Sequence, residues 1–214
     1  MGLAPAQGNR EGCPCNLYGN NMRVIAGTAK GRRLSCPRGL EIRPARDRVK
    51  ESLFSILGEI VIDRPVLDLF AGTGAVGIEA LSRGAQSCLF IENNTSAITY
   101  INRNLRTAGL ESRGRILKMD VFRVLPYLVK KGEYFELVFV DPPYKIIENA
   151  KDKKRLLQLL EGLAEHDILR YPGIVVIEYR AKWAEIPDNI GKLVRFDERG
   201  YDATHLGFWH LPDQ

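Results

Sequence analysis

Short apolar runs alternate with longer segments of helical spacing over most of the chain. The apolar runs, in order, read PVLDLF from Pro65, SCLFIE, GRILKM, FELVFV and GIVVIEY. The segments between them repeat apolar residues about every 3.6 positions and include AVGIEALSR, TSAITYINRNLRTAG, VFRVLPYLVKK and KDKKRLLQLLEGLAEHDIL. Strands that alternate with helices form βαβ units, in which helices cover both faces of a parallel sheet. The pattern therefore predicts an α/β fold, with VRFDERGYDATHLGFWHL as a closing antiparallel pair.

The amino-terminal part of the chain does not follow this alternation. Residues 1–21 are rich in Gly, Asn and Pro, so we expect a disordered lead, or a stretch ahead of a natural start at Met22. Residues 22–46 contain RVIAGTAKGRRLSCP, whose apolar stretches around two glycines predict a hairpin with a basic tip. Asp47 is the expected cap of a helix, RVKESLFSIL, which opens a domain over 47–214.

The totals suit a single domain of ordinary size with a small extension. The chain has 214 residues, of which 45% are hydrophobic and 27% charged. No apolar run approaches the roughly 18 residues that span a bilayer, and no signal-peptide order is present, so we expect a soluble, cytoplasmic protein. The cysteines form neither a CxxC pair nor a dense framework, which predicts no disulfide and no metal site. They are Cys13, Cys15, Cys36 and Cys88.

Positive charge is concentrated near the amino terminus. The net charge is +5, yet residues 22–50 alone carry nine basic residues against two acidic ones, an excess of seven. The basic residues are Arg23, Lys30, Arg32, Arg33, Arg38, Arg43, Arg46, Arg48 and Lys50. A polyanionic partner and a merely solvated face both explain this segment.

A glycine-rich turn, DLFAGTGAVG, connects the first strand to a helix. Gly72, Gly74 and Gly77 satisfy GxGxxG, which lets a ligand approach the backbone at the helix amino terminus. Glu92 ends the next strand twenty residues after Gly72, where its carboxylate can bind the two hydroxyls of an adenosine ribose. NAD and S-adenosylmethionine share that ribose, so both cofactors stay open, as does a turn that only serves packing. Asp120 either faces an adenine amino group or caps a helix.

The sequence Asp141-Pro142-Pro143-Tyr144 follows the apolar run FELVFV. Two prolines cannot continue a sheet ladder, so the chain turns sharply and fixes an acid and an aromatic ring at a strand end. Ligands of open α/β sheets bind outside the carboxyl ends of the strands. We therefore expect the glycine loop, Glu92, Asp120 and Asp141 to line one crevice.

Together, DLFAGTG, the acid at the second strand end, Asp120 and DPPY resemble the class I S-adenosylmethionine-dependent methyltransferases that act on an exocyclic amino group. RVIAGTAKGRRL, IRPARDRVKESLFSIL and VFVDPPY resemble, more narrowly, the bacterial RsmD family, which methylates a guanine N2 of small-subunit ribosomal RNA. The resemblance runs from about Met22 to the carboxyl terminus. It implies a Rossmann-like class I methyltransferase fold with a mostly parallel seven-stranded sheet and an amino-terminal β-hairpin extension.

The chain departs from the family pattern in two places. The family usually has Thr where this chain has Ala45 or Arg46. Its carboxyl-terminal Tyr-Gly-x-Thr pattern is present here as Gly200-Tyr201-Asp202-Ala203-Thr204. The motifs of the expected cofactor crevice contain neither change.

The resemblance also implies a role for each candidate site residue. The residues expected to bind S-adenosylmethionine are Asp68, Phe70, Gly72 and Gly74 for the methionine part, Glu92 for the ribose and Asp120 for the adenine. The residues expected to act on the guanine are Asp141 and the Pro142 carbonyl, which accept hydrogen bonds from the N2–H groups, and Tyr144, which stacks on the base. The residues expected to bind RNA are Lys30, Arg32, Arg33 and Arg48, and Arg48 could instead reach the carboxylate of the cofactor. The implied partner is 16S rRNA or the assembled small ribosomal subunit, bound by a monomer with no membrane contact.

Three other functions remain open at this point. A nicotinamide-dependent oxidoreductase fits GxGxxG and Glu92 but leaves DPPY unexplained, and the three histidines, His166, His205 and His210, all lie late in the chain. An RNA-binding module with a vestigial crevice does not account for Asp141 and Tyr144. A methyltransferase for another amine, DNA adenine or protein glutamine, fits DPPY but not the basic amino-terminal signature.

Overall fold

The computed structural model describes residues 22–37, 45–180 and 186–212, with the side chains of 45–47 excepted. The strands are β1 Pro65–Leu69, β2 Ser87–Glu92, β3 Gly114–Lys118, β4 Phe135–Val140, β5 Leu169–Arg180, β6 Asn189–Ile190, β7 Leu193–Tyr201 and β8 Thr204–His210. The α-helices are α1 Ala45–Leu57, α2 Ala75–Ser82, α3 Thr95–Ala108, α4 Val124–Lys131, α5 Tyr144–Glu148 and α6 Ala150–Glu165. Short 3₁₀ helices cover Gly58–Val61 and Val121–Arg123.

One mixed sheet joins all of these strands in the order β3-β2-β1-β4-β5-β8-β7-β6. β1 to β5 pair in parallel, and β8, β7 and β6 follow with antiparallel pairing. Within the described residues the sheet thus has eight strands, where the resemblance implied seven. The additional strand, β6, is two residues long, and strands this short leave no alternating pattern in a sequence.

The central strands are buried on both faces, as in sheets covered by helices on each side. Alternate residues of β1 point to opposite faces: Val66 packs in the cluster with Leu53, and Leu67 packs in the cluster with Leu160. The first cluster lies under α1, α2 and α3, and the second lies under α4 and α6. This two-layer burial explains the near-continuous apolar runs of the sequence.

Two local predictions at the amino-terminal end need correction. Helix α1 begins at Ala45, so Asp47 lies inside the helix and does not cap it. The segment from Met22 to Leu34 has the predicted hairpin shape, but a single antiparallel bridge, Arg23 with Arg33, replaces the expected strands. Residues 1–21 lie outside the described part of the chain.

Glu79 of α2 fastens the hairpin to the domain. Its carboxylate is fully buried and accepts hydrogen bonds from the backbone N–H groups of Ile25, at 2.8 Å, and Ala26, at 2.9 Å. Arg83 donates to the same carboxylate at 2.8 Å, and Lys50 Nζ lies 3.3 Å from it. Lys50 also donates to the Arg23 carbonyl at 2.7 Å. We call this group of six residues the Glu79 clasp.

The end of α2 holds the tip of the hairpin. Ser82 Oγ donates to the Ala26 carbonyl at 2.6 Å and accepts from Ala29 N–H at 2.9 Å. Gly27 lies so close that a Cβ atom there would be 1.8 Å from the Ser82 carbonyl oxygen, and its φ is +83°. Only glycine fits this contact without moving the backbone.

Asn104 of α3 connects the hairpin to the glycine loop. This fully buried side chain accepts from Ser35 N–H at 2.7 Å and donates to the carbonyls of Ser35, at 2.9 Å, and Thr73, at 3.0 Å. The hairpin and the loop after β1 are therefore held by one amide group.

Within the described residues, no helix combines the length and the apolar character that crossing a membrane requires.

Candidate active site

The carboxyl ends of the parallel strands open into a crevice of about 630 Å³. Its walls include Glu92, Asp120, Phe122, Asp141, Pro142 and Tyr144. A smaller cavity of about 150 Å³ adjoins it and is lined by residues that include Met22, Lys50, Asp68, Thr73 and Glu178. Phe70, Gly72 and Asp141 line both spaces. The structure thus brings together eight of the candidate residues, contributed by the ends of β1 to β4.

Gly74 has a different place. It is the residue before α2 and has a φ of +76°, in the left-handed region that favours glycine. A Cβ atom at this position would lie 3.1 Å from Ile101 and 3.3 Å from Phe90. Gly74 therefore packs against the core under α3. The bend at Gly74 lets the start of α2 line the adjoining cavity.

Glu92 fixes the shape of the glycine loop. One carboxylate oxygen accepts from Gly72 N–H at 2.8 Å and the other from Asn94 N–H at 2.7 Å. A carboxylate offers about four acceptor positions, so two hydrogen bonds leave capacity for ligand hydroxyl groups. Glu92 can therefore support the loop and bind a ribose at the same time.

Asp120 caps a helix and also lines the crevice. Its side chain accepts from Phe122 N–H at 3.0 Å and so caps the 3₁₀ helix after β3. The residue is exposed and lines the crevice, so its other oxygen can reach a ligand. The cap and the binding role are compatible.

An aromatic pair, which the sequence did not indicate, forms part of the crevice wall. Phe70 and Phe122 meet edge to face, with ring centroids 6.3 Å apart. Phe70 has a φ of +61°, a strained conformation for a bulky residue of the kind that occurs at functional sites. Arg155 of α6 covers the Phe122 ring at 4.1 Å and pairs with Asp152 at 3.1 Å. Because α6 lies far along the chain, no local pattern links it to this wall.

Asp68 is a buried acid at the end of β1. Its pKa is raised to about 8, chiefly by burial and in smaller part by the charges of Asp141 and Glu92, whereas a 3.1 Å hydrogen bond from Gly77 N–H opposes the rise. At neutral pH the carboxyl group is therefore mostly protonated in the absence of a cation. The three acids make this part of the crevice favourable for positive charge.

Replacing Asp68 with Asn is expected to flatten the pH dependence of stability. Between the ordinary pKa of 3.8 and about 8, the folded protein keeps a proton that the unfolded chain has lost. The contribution of Asp68 to the free energy of unfolding therefore falls as pH rises, by up to about 1.4 kcal/mol per pH unit. Urea unfolding between about pH 5 and pH 8 measures this slope.

The exposed Asp63 provides the matched control, because Asp63→Asn should keep the wild-type pH dependence. An unchanged slope in the Asp68 variant would contradict the raised pKa.

Asp141, Pro142 and Tyr144 form the far wall of the crevice. Asp141 is the first residue after β4 and is partly buried, and Pro143 is the residue before α5. Tyr144 begins that helix, and the guanidinium of Arg180 stacks on its ring. The two prolines hold the Asp141 and Pro142 oxygens on a rigid turn.

The basic segment is only partly a charged surface. Lys30, Arg32 and Arg33 are exposed around the hairpin, and Arg48 is exposed on α1. Lys50, in contrast, is buried in the Glu79 clasp and does not contribute to that surface. Two of the counted arginines, Arg38 and Arg43, and the side chain of Arg46 lie outside the described residues, as does the side chain of Ala45.

The carboxyl-terminal pattern lies beside the crevice. Tyr201 ends β7 at the turn to β8, and its hydroxyl group makes a hydrogen bond with Ser52 of α1. Thr204 pairs with Arg180, which ends β5. The altered family motif therefore joins the β7–β8 turn to the helix that follows the hairpin.

Comparison with known proteins supports the fold and the family. The solved structure "Putative methyltransferase yhhF from Escherichia coli" superposes with a TM-score of 0.74 at 28% identity, covering 90% of this chain and 98% of that one. The Bacillus subtilis (strain 168) protein "Putative rRNA methyltransferase YlbH" is 36% identical over 188 residues, 88% of this chain and 98% of that protein. "Ribosomal RNA small subunit methyltransferase D" of Escherichia coli (strain K12) is 37% identical over 132 residues, 62% of this chain and just under two thirds, 65%, of that protein.

The predicted methyltransferase fold is thus confirmed. The family model "Conserved hypothetical protein 95" matches residues 22–210, which include the hairpin, the glycine loop and DPPY. The chain therefore belongs to this family, the RsmD family of rRNA methyltransferases.

Proposed function

We propose that the protein transfers a methyl group from S-adenosylmethionine to the exocyclic N2 amino group of a guanine in 16S rRNA. The observation that carries this proposal is the crevice in which Asp141, Pro142 and Tyr144 face the glycine loop and Glu92. The printed names of the relatives favour ribosomal RNA as the substrate class. The other parts of the proposal are a monomeric enzyme in the cytoplasm that acts on rRNA or on the assembled small subunit.

The residues present fit S-adenosylmethionine. Glu92 beside Gly72 suits the ribose hydroxyls, and Asp120 with the Phe122 wall suits the adenine. Asp141 places negative charge beside the adjoining cavity, and a ligand with sulfonium and ammonium groups would also favour the ionised form of the buried Asp68. NAD fits less well, because its pyrophosphate would bring negative charge close to Glu92 and Asp141.

The bound cofactor would supply a methyl group activated by a positively charged sulfur. The task of the chain is to make a poor nucleophile reactive, since the lone pair of guanine N2 is delocalised into the ring. In this proposal, the Asp141 carboxylate and the Pro142 carbonyl accept hydrogen bonds from the two N2–H groups and favour a pyramidal nitrogen. Asp141 then takes the proton that N2 loses after transfer. Orientation and fixed electrostatics supply most of the rate.

Tyr144 is assigned to the target base. An enzyme that acts on a base in RNA takes it out of its stack and commonly holds it on an aromatic side chain. Such stacking contributes about 1–3 kcal/mol per base and tolerates different sequences. Tyr144 therefore holds the base, and the hydrogen-bonding edge of the crevice selects it.

Removing three positive charges from the hairpin is expected to weaken RNA binding and flatten its salt dependence. The variant is Lys30→Ala with Arg32→Ala and Arg33→Ala, all exposed positions. Each phosphate contact contributes a slope of roughly 0.7 to 0.9 log units of affinity per log unit of salt. The triple variant should therefore lose about two units of slope if all three residues contact phosphates. The methylated nucleotide should stay the same, because phosphate contacts position an enzyme without reading sequence.

A salt titration of RNA binding measures both effects. The control is Lys130→Ala with Lys131→Ala, which removes exposed charge from the end of α4, a helix that packs on the other face of the sheet from the hairpin. Equal slopes for the triple variant and wild type would mean that the hairpin is only a solvated surface.

Mapping the product tests the function itself. Labelled S-adenosylmethionine is incubated with the protein and either 16S rRNA or small-subunit particles from a strain that lacks the gene. The expected product is N2-methylguanine at one nucleotide. Methylation of DNA adenine or protein glutamine instead would replace the proposed substrate. Calorimetric heat with NAD and none with S-adenosylhomocysteine would replace the proposed cofactor.

A further inference from the structure

Arg180 and Tyr144 form a stacked pair at the carboxyl edge of the sheet. The Cζ atom of Arg180 lies 3.8 Å from the centroid of the Tyr144 ring, so the guanidinium is in contact with one face of the ring. Arg180 is the last residue of β5, and Tyr144 begins α5 after the two prolines that follow β4. β4 and β5 are parallel neighbours, which brings the two residues together beyond the same edge.

The Arg180 guanidinium occupies one of the two faces of the Tyr144 ring. Tyr144 lines the crevice together with Asp141 and Pro142, whereas Arg180 is not among the described residues that line it. Because the guanidinium covers one face, a base that stacks on Tyr144 would take the other face. A guanidinium and a base are both flat, and an aromatic ring can hold one on each face.

We propose that Arg180 is a positioning residue, which holds the ring of Tyr144 in the orientation that stacks on the methyl-accepting base. The inference rests on the proposed function, which gives Tyr144 its role. Helix α5 has five residues, too few to anchor a side chain firmly by helical structure alone. A contact that already restricts the ring reduces the conformational entropy that the Tyr144 side chain loses when a base binds. The site is then preorganised.

Arg180 has a second conceivable role, because an arginine at a crevice edge can bind an RNA phosphate directly. The two roles give different results. A phosphate contact depends on charge, so Lys at this position would serve and Ala would flatten the salt dependence of RNA binding. A contact with the ring depends on both the planar shape and the charge of the guanidinium, so neither Lys nor Gln would replace Arg180 fully. The salt dependence of RNA binding would not change.

The test is a double-mutant cycle between Arg180 and Tyr144, measured as kcat/KM for methyl transfer to the rRNA substrate. Arg180→Ala should lower kcat/KM by about two- to thirty-fold, the range of a cation–π contact. Arg180→Lys and Arg180→Gln should each lose part of this factor. In a Tyr144→Ala background, Arg180→Ala should have no further effect, because the ring through which it acts is absent. Affinity for S-adenosylhomocysteine should be unchanged throughout.

Arg155 provides a matched control from the same crevice. Its guanidinium also covers an aromatic ring, that of Phe122, at 4.1 Å. Phe122 belongs to the part assigned to adenine, so Arg155→Ala should weaken S-adenosylhomocysteine binding. Its effect on kcat/KM should not depend on Tyr144.

A second measurement separates this inference from the proposed function. Fluorotyrosine placed at position 144 gives a fluorine NMR signal that reports the environment of the ring without substrate. Arg180→Ala should shift or broaden that signal; an unchanged signal would overturn the inference even in an active enzyme. Independent effects in the cycle, or a flatter salt slope for Arg180→Ala, would also overturn it. A wild-type protein that methylates no RNA would overturn the proposed function and the role of Arg180 in it, and the fluorine signal would show whether the contact itself exists.

Discussion

Replacing Asp141 with Ala should reduce kcat for methyl transfer by about 100- to 1000-fold, the loss seen when one fixed group that stabilises a transition state is removed. Asp141 lies on the rigid turn after β4 and lines both the crevice and the adjoining cavity. Its proposed hydrogen bond to N2 is strongest when the nitrogen becomes pyramidal, so the loss should appear in kcat more than in binding. Affinity for S-adenosylhomocysteine should change little.

Two further variants define what Asp141 contributes. Asp141→Asn keeps an acceptor oxygen but removes the charge, so its activity should lie between those of wild type and Asp141→Ala. Asp120→Ala removes another acid from the same crevice, but one assigned to the adenine, and should lower cofactor affinity instead. Single-turnover kinetics together with calorimetry distinguishes the two patterns. If Asp141→Ala loses cofactor binding and keeps its rate per bound cofactor, the role given to Asp141 is wrong.

Glu79→Ala is expected to lower the free energy of unfolding by about 3–5 kcal/mol, the usual cost of removing one partner from a buried ion pair. The substitution removes a carboxylate that lies 3.3 Å from Nζ of Lys50, a residue that is 6% exposed. It also removes the acceptor for the backbone N–H groups of Ile25 and Ala26. Urea unfolding measures the change.

The ion pair of Arg115, which is exposed, and Glu133, which is only partly buried, supplies the control for this prediction. Glu133→Ala should cost at most about 1 kcal/mol, since water screens charges at the surface. Combining Glu79→Gln with Lys50→Met removes both charges and should recover part of the loss. A cost for Glu79→Ala no larger than that for Glu133→Ala would mean that the clasp adds little stability.

The parts of the site that lie at strand ends could be predicted from the sequence. A strand followed by Gly72 and Gly74, an acid at the end of the next strand and DPPY after the fourth are all local patterns. A parallel sheet places such strand ends at one edge, so the topology alone brings Glu92 and Asp141 into the same crevice. The bounds of β1, β2 and β4 could also be predicted, because strands that are buried on both faces are continuous apolar runs in the sequence.

Contacts between distant elements could not be predicted. Lys50 counts as surface charge in any sum over the sequence, and only the tertiary structure reveals Glu79 beside it. The same holds for Arg180 on the Tyr144 ring. The positive φ of Phe70 is a further case, because a bulky residue in that conformation depends on the structure around it.

The hairpin shows what such distant contacts do to the dynamics of a segment. The hairpin has one antiparallel bridge and a few backbone hydrogen bonds of its own. In addition, the N–H groups of Ile25, Ala26, Ala29 and Ser35 donate to side chains of α2 and α3. Amide protons held in this way exchange with solvent deuterium only when the hairpin leaves the domain. At the tip, Lys30 N–H donates instead to the nearby Gly27 carbonyl at 3.2 Å. Deuterium should therefore enter the tip early and the four anchored amides late, at a rate close to that of the α2 core.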